Sequence, residues 1–210
     1  MKTSPLLEVK ALTVKRGRNS LGPLSLTLSE GCGLALVGSN GSGKSSFMLA
    51  IAGLLETTGG DVLLNLPGSD GKHDQGSHTE GWKRGLGWQG QQSGLWPHLS
   101  IRQQCYLLQD EKNQSSLESF AEALSMVPLL DRMPHQLSGG ESQRAEFMRA
   151  LCSPGKLLLL DEPFSSQNSE GRSLMLNLIE QEKKRDRAFI LALHEPMNGW
   201  DVIRLPLGSD

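Results

Sequence analysis

Gly33-Leu34-Ala35-Leu36-Val37-Gly38-Ser39-Asn40-Gly41-Ser42-Gly43-Lys44-Ser45-Ser46 is the stretch on which the fold turns. Its first five residues are continuously apolar, as in a strand buried on both faces. Ser45 to Leu54 (SSFMLAIAGL) has the pattern of a helix closed near Gly53. Between the two, residues 38–45 fit G-x-x-x-x-G-K-[ST]. Glycines there let successive backbone N–H groups turn around phosphates at the positive end of the following helix. Lys44 is then expected to reach the β- and γ-phosphates as a point charge, and the Ser45 hydroxyl to ligate Mg²⁺. Gly38, Ser39, Asn40, Gly41, Ser42, Gly43, Lys44, Ser45 and Ser46 are the candidate nucleotide-binding residues. An ordinary glycine turn is the bland alternative, and a buried strand before it with a helix after it argues against that.

Working outward, the N-terminal side offers two strand-like stretches. One runs from Leu6 to Val14; in the other Leu24, Leu26 and Leu28 alternate with polar residues. On the C-terminal side come a short strand at Asp61–Leu66 and a polar Gly/Asp/His-rich loop at 67–85. Helical patterns follow at Ile101–Gln109 and Ser115–Met126, with Pro128 as a stop, and a turn and a strong helix at Leu137–Leu151. Leu157–Leu160 and Phe189–Leu193 read as buried strands, Asn168 to about Arg187 as a charged helix, and Asp201–Leu205 as an edge strand. Apolar strands alternating with helices predict an α/β fold with a mainly parallel sheet. The expected layout is a single domain over 1–210, with a core at 1–90 and 151–210 and a helical lobe at about 98–150.

Composition narrows the function. A net charge of −2 in 210 residues argues against bulk electrostatic capture of nucleic acid. No window approaches the 18 apolar residues of a membrane span, and Met1-Lys2-Thr3-Ser4-Pro5 lacks the apolar core of a signal peptide. Cys32, Cys105 and Cys152 lie far apart without a C-x-x-C and read as reduced, buried thiols of a cytosolic protein. The 24 glycines have no G-X-Y period, which excludes collagen. His73, Asp74, His78 and Glu80 read as solvated loop residues, not as a metal site.

Two further strings carry chemistry. Leu157-Leu158-Leu159-Leu160-Asp161-Glu162 puts two carboxylates at the end of a buried strand, where ligands of a parallel sheet bind. Asp161 suits a Mg²⁺ partner, and Glu162 can polarise an attacking water. Two solvated acids before Pro163 are the plainer alternative. Leu137-Ser138-Gly139-Gly140-Glu141-Ser142-Gln143-Arg144 opens a second helix N-terminus able to meet an anion.

With that last string the chain closely resembles the ATP-binding subunits of ABC transporters, whose LSGG-x-x-QR signature it matches. The likeness covers nearly the whole chain and implies an ABC ATPase fold: a P-loop NTPase core, a small N-terminal antiparallel β-subdomain and a helical signature lobe. It implies ATP and Mg²⁺ as ligands and ATP hydrolysis as the activity. Gly87–Ile101 (GWQGQQSGLWPHLSI) resembles the segment holding the family's glutamine loop. Aligned on Leu95-Trp96-Pro97-His98-Leu99, the family glutamine falls at Gln91, with Gln89 and Gln92 close by; its amide is a further candidate Mg²⁺ ligand. His194 matches the switch histidine that contacts the γ-phosphate and steers Glu162, although a lone histidine after a strand reads by itself as structural. The resemblance implies a head-to-tail homodimer or pseudo-dimer, each ATP lying between one chain's phosphate loop and the other's Ser138, Gly139 and Gly140. It also implies a separate transmembrane permease subunit handling a small-molecule or ion cargo, and a position on the inner face of the cell membrane.

Two departures stand out. The family's adenine-stacking aromatic is replaced by Lys15-Arg16-Gly17, which leaves Arg16 as the candidate base-stacking residue. The loop after the acidic pair, which in the family ends Ala-Leu-Asp, reads Ser165-Ser166-Gln167-Asn168; Asn168 loses a charge but can still cap the next helix. These departures keep open an alternative, a soluble or weakly hydrolysing nucleotide switch with no transport role.

Overall fold

The computed structural model describes residues 4–17, 19–65, 74–75, 84–109 and 115–206. Strands β3 (Gly33–Val37), β6 (Gly87–Gln89), β7 (Leu157–Asp161), β8 (Ala188–Leu193) and β9 (Asp201–Arg204) form one sheet in the order β6-β7-β8-β3-β9, parallel at every pairing. A second, antiparallel sheet has the order β2-β1-β4-β5, from β1 (Leu7–Arg16), β2 (Asn19–Leu28), β4 (Thr57–Leu64) and β5 (Asp74–Gln75). The helices are α1 (Lys44–Ala52), α2 (Ile101–Tyr106), α3 (Ser115–Ala123), α4 (Gly139–Cys152) and α5 (Ser169–Lys183).

The unbroken apolar runs follow from burial on both faces. Side chains alternate across a strand, so each central strand divides its residues between two cores. Ala35, Val37, Leu158, Leu160, Phe189 and Leu191 face one core with residues of α2, α3, α4 and α5. Leu34, Leu36, Leu157, Leu159, Ile190 and Ala192 face the other, against α1 and the antiparallel sheet. β9 closes the sheet as the expected edge strand.

The structure changes several boundaries. β4 starts at Thr57, not at Asp61, and runs through Gly59-Gly60. Those glycines face a break in the β1 register between Lys10 and Thr13, and a Cβ on Gly60 would come within 2.3 Å of the Ala11 carbonyl oxygen. The strand takes glycines here because the bulged neighbour leaves no room for a side chain. β6 was not expected. It is only three residues long, too short to show periodicity, and exists through its pairing with β7. Cys105 and Cys152 are buried, but Cys32 is exposed at the turn entering β3.

Phe189 is fully buried in β8, paired with Gly33 on one side and Leu158 on the other. Phe189→Ala is expected to lower unfolding stability by about 3–5 kcal/mol, measured by urea denaturation.

Candidate functional site

Register brings the site together. Asp161 in β7 lies opposite Ala192 in β8, and Ala192 opposite Leu36 in β3; Gln89 in β6 lies opposite Leu160. The strands therefore end nearly level, and Gln91, Glu162, His194 and Gly38 all leave the same edge of the sheet. Such an edge is where open parallel sheets bind ligands.

The loop after β3 leads into α1. Gly43, its N-cap, has φ of 101° and offers no side-chain cap, whereas Ser100, Ser138 and Asn168 cap α2, α4 and α5. The first-turn N–H groups of α1 are thus left without a side-chain acceptor, at the positive end of the helix. Lys44, only 4% exposed, folds back and donates to the carbonyls of Gly38 (2.7 Å) and Ser39 (3.2 Å). Residues Asn40 to Ser46, with Gln91 and Glu162, line a cavity of about 270 Å³. Its size and uncapped helix suit a phosphate chain.

Glu162 is the hub of its rim. Its carboxylate accepts from Gln91 Nε2 at 3.4 Å, lies 3.2 Å from His194 Nε2 and pairs with Lys44 Nζ at 3.9 Å. Its backbone has φ of 49°, unusual for a residue with a side chain. The Glu162 N–H donates to the Ala192 carbonyl, and its own carbonyl accepts from Gln143 Nε2 at 3.1 Å. A left-handed turn held from two neighbouring elements aims the carboxylate across the strand ends.

Asp161 is 3% exposed and its Oδ1 has no hydrogen-bond partner. Burial raises its carboxyl above the ordinary carboxylate range and the nearby Glu162 charge adds to this, while a hydrogen bond from Ser45 and the Lys44 charge oppose it. A buried, unpartnered carboxylate oxygen beside a serine hydroxyl is a donor set that fits a hard divalent cation. Among the described residues no group of three or more His, Cys, Asp or Glu side chains is arranged to hold a metal ion by itself. A cation here would complete its shell with other oxygens, such as those of phosphate and water.

The segment carrying Gln91 is stitched to α4 and α2 by Gln89 and Gln143, which lie within the motif strings, and by Glu146, Arg149 and Gln104, which no motif revealed. Gln89 Nε2 donates to the Gln143 carbonyl, the Gly94 N–H donates to buried Glu146 at 2.7 Å, and Arg149 donates to the Gly94 carbonyl at 2.5 Å. Gln104, fully buried, exchanges hydrogen bonds with the backbone of Trp96 and Leu99. Glu146 and Gln104 break the apolar pattern of their helices, which was the one signal in the sequence that could have found them.

Ser138 caps α4 in a reciprocal box with Glu141. Ser138, Gly139 and Gly140 do not line the phosphate-loop cavity of their own chain. Asn168 Oδ1 caps α5 by accepting from the Gly171 N–H at 2.8 Å. Arg16 ends β1; its side chain lies outside the described residues, as do His73, His78 and Glu80 and most of loop 67–85.

Residues 21–165 match the ABC transporter family profile. PhnT of Salmonella typhimurium, an ATP-binding protein named for 2-aminoethylphosphonate import, is 37% identical over 79% of this chain and 44% of its own length. The carnitine transport ATP-binding protein OpuCA of Listeria monocytogenes is 31% identical over 87% of this chain and 47% of its own. The chain thus spans about half the length of the relatives it matches. Among solved structures, an ATP-binding subunit of an ABC transporter superposes with a TM-score of 0.82 at 22% identity, over 96% of this chain and 86% of that one. A dimeric bacterial ABC transporter cassette gives 0.79 at 21% identity, over 95% and 94%. The fold is therefore that of an ABC cassette.

The Ser138 N–H holds the Glu141 carboxyl below its ordinary value of 4.5. A lowered folded-state value stabilises above the unfolded-state value, and the gain is lost as pH falls through the folded one. The stability deficit of Glu141→Ala is expected to be greatest at neutral pH and to narrow below about pH 4.5, read by urea denaturation across that range.

Proposed function

The chain belongs to the ABC transporter family, and on that premise we propose that it binds and hydrolyses ATP to power movement of a solute through a separate membrane-spanning permease. The observation that carries this reading is the convergence of Lys44, Gln91 and His194 on Glu162, at the rim of a phosphate-sized cavity.

In this reading the loop from Gly38 to Ser46 and the uncapped start of α1 bind the phosphates. Lys44 exchanges its hold on the Gly38 and Ser39 carbonyls for the β- and γ-phosphates. Ser45 and Asp161, with Gln91, would hold Mg²⁺, which when bound would supply neutralisation of developing phosphate charge. Glu162 orients and polarises the attacking water as general base, and His194, half exposed beside it, holds that carboxylate in place. Ser138, Gly139 and Gly140 stand apart from their own chain's cavity and serve the nucleotide of a second ATPase subunit, so the working unit is a homodimer or pseudo-dimer. Arg16 is the candidate for stacking on adenine.

ATP then holds two chains together, and loss of the γ-phosphate lets them part, a ligand-driven shift that a membrane partner converts into transport. Among the described residues no helix is long and apolar enough to cross a membrane, which fits a chain that works on the inner face of the cell membrane through that partner. Relatives named for 2-aminoethylphosphonate and carnitine favour a small charged cargo, selected by the permease.

Glu162→Gln is expected to bind MgATP with wild-type affinity, to dimerise on MgATP in size-exclusion chromatography, and to turn over at least about 100-fold more slowly. Wild-type turnover in this variant overturns the role of Glu162. Wild-type turnover as slow as the variant's would support the nucleotide switch instead.

A further inference from the structure

Gln167 occupies the place of the apolar residue in the family's loop after the acidic pair, and its amide is fully engaged. Nε2 donates to the Gly140 carbonyl at 2.8 Å and to Gln143 Oε1 at 3.1 Å, while Oε1 accepts from Arg144 Nη1 at 3.1 Å. Gln143 completes the chain of bonds. Its Nε2 donates to the Glu162 carbonyl (3.1 Å) and Ser165 Oγ (2.9 Å), and its Oε1 also accepts from the Ser166 N–H (3.0 Å). An unbroken series of hydrogen bonds therefore runs from the Gly140 carbonyl through Gln167 and Gln143 to the Glu162 carbonyl.

The space for this series is built into the next helix. Gly171 lies in the first turn of α5, and a Cβ there would come 2.3 Å from Gln167 Oε1. At Gly140 a Cβ would meet the Ser166 carbonyl oxygen at 3.0 Å. Two glycines thus leave room for the Gln167 side chain to fold between α4 and α5.

We propose that Gln167, acting through Gln143, is a positioning residue that binds the Ser138–Gly140 turn to the Glu162 backbone, so that both nucleotide-facing parts of one chain move as one body. The inference rests on the reading of Glu162 and of that turn given above. The Glu162 turn has a left-handed backbone and keeps its aim only through the contacts around it. In a dimer the turn meets the partner subunit's nucleotide while Glu162 serves its own. Seating of the turn is thereby passed to the carboxylate, and chemistry at one site depends on closure at the other.

Breaking the bracket affects turnover without touching the phosphate loop. Gln167→Leu is expected to lower kcat by about tenfold, with the Kd for MgATP, from fluorescent-nucleotide titration, and the thermal midpoint both unchanged. Gly171→Ala, which displaces the Gln167 side chain, is expected to give the same loss, and the double variant no more than either single one. The inference is overturned by a Gln167→Leu kcat within about twofold of wild type, by a loss matched in MgATP affinity or thermal midpoint, or by losses that multiply in the double variant. A wild-type chain that binds MgATP without turning it over overturns the proposed function together with this inference. Normal wild-type turnover with insensitive variants overturns this inference alone.

Discussion

The level ending of parallel strands is the constraint on which the rest of the structure depends. Parallel pairing sets β7 against β8 and β8 against β3 so that Asp161, Ala192 and Leu36 share one rung. Residues separated by more than 150 positions, from Gly38 to His194, then emerge side by side. No single contact gathers the site. The rungs do it, and the two cores hold the rungs by taking alternate side chains of the same strands.

This explains what the sequence made legible. A strand buried on both faces has to be apolar throughout, so β3, β7 and β8 announce themselves, and the polar residues that follow each one mark the edge where ligands bind. What stayed hidden is structure that exists through a neighbour. β6 pairs with β7 over three residues, and β4 continues through Gly59-Gly60 because a bulge in β1 excludes side chains there. The supports of the site were hidden for the same reason. Glu146 does its work by meeting the Gly94 N–H, 52 positions away in sequence, and Gln104 by bonding to the backbone of a loop before its own helix, and spacing alone names neither partner. The sequence names Arg16 as the base-stacking candidate, and its side chain lies outside the described residues.

Helix capping divides the helix N-termini into two kinds. Ser138 with Glu141 satisfies the start of α4 from within, and Asn168 does so for α5. The start of α1 receives no side-chain acceptor. An anion arriving at α1 meets N–H groups that would otherwise rely on water, whereas one arriving at α4 meets a Ser138 hydroxyl already turned toward its own backbone. The two turns, although both rich in glycine, are unequal anion sites. The start of α1 opens on its own chain's cavity, whereas the start of α4 is self-capped and does not line it; under the proposed function α4 would meet the nucleotide of a second subunit.

That asymmetry gives the amide chemistry behind Glu162 a reason. In the role proposed for Glu162, a carboxylate acting on water beside phosphate would be easily disturbed by a fixed charge close to it. Lys44 and His194 already stand at its carboxylate oxygens. Its backbone is positioned by Gln143, a neutral side chain whose two donors and two acceptor sites are all taken. A neutral, saturated amide fixes geometry without adding a further field at the reacting group, and its four bonds leave it no alternative partner to drift toward. Gln167 extends the same logic to the lip of α4. In the loop where Asn168 stands in place of the family's charge, hydrogen bonds still join one turn to the other, and the role proposed for Gln167 uses that connection.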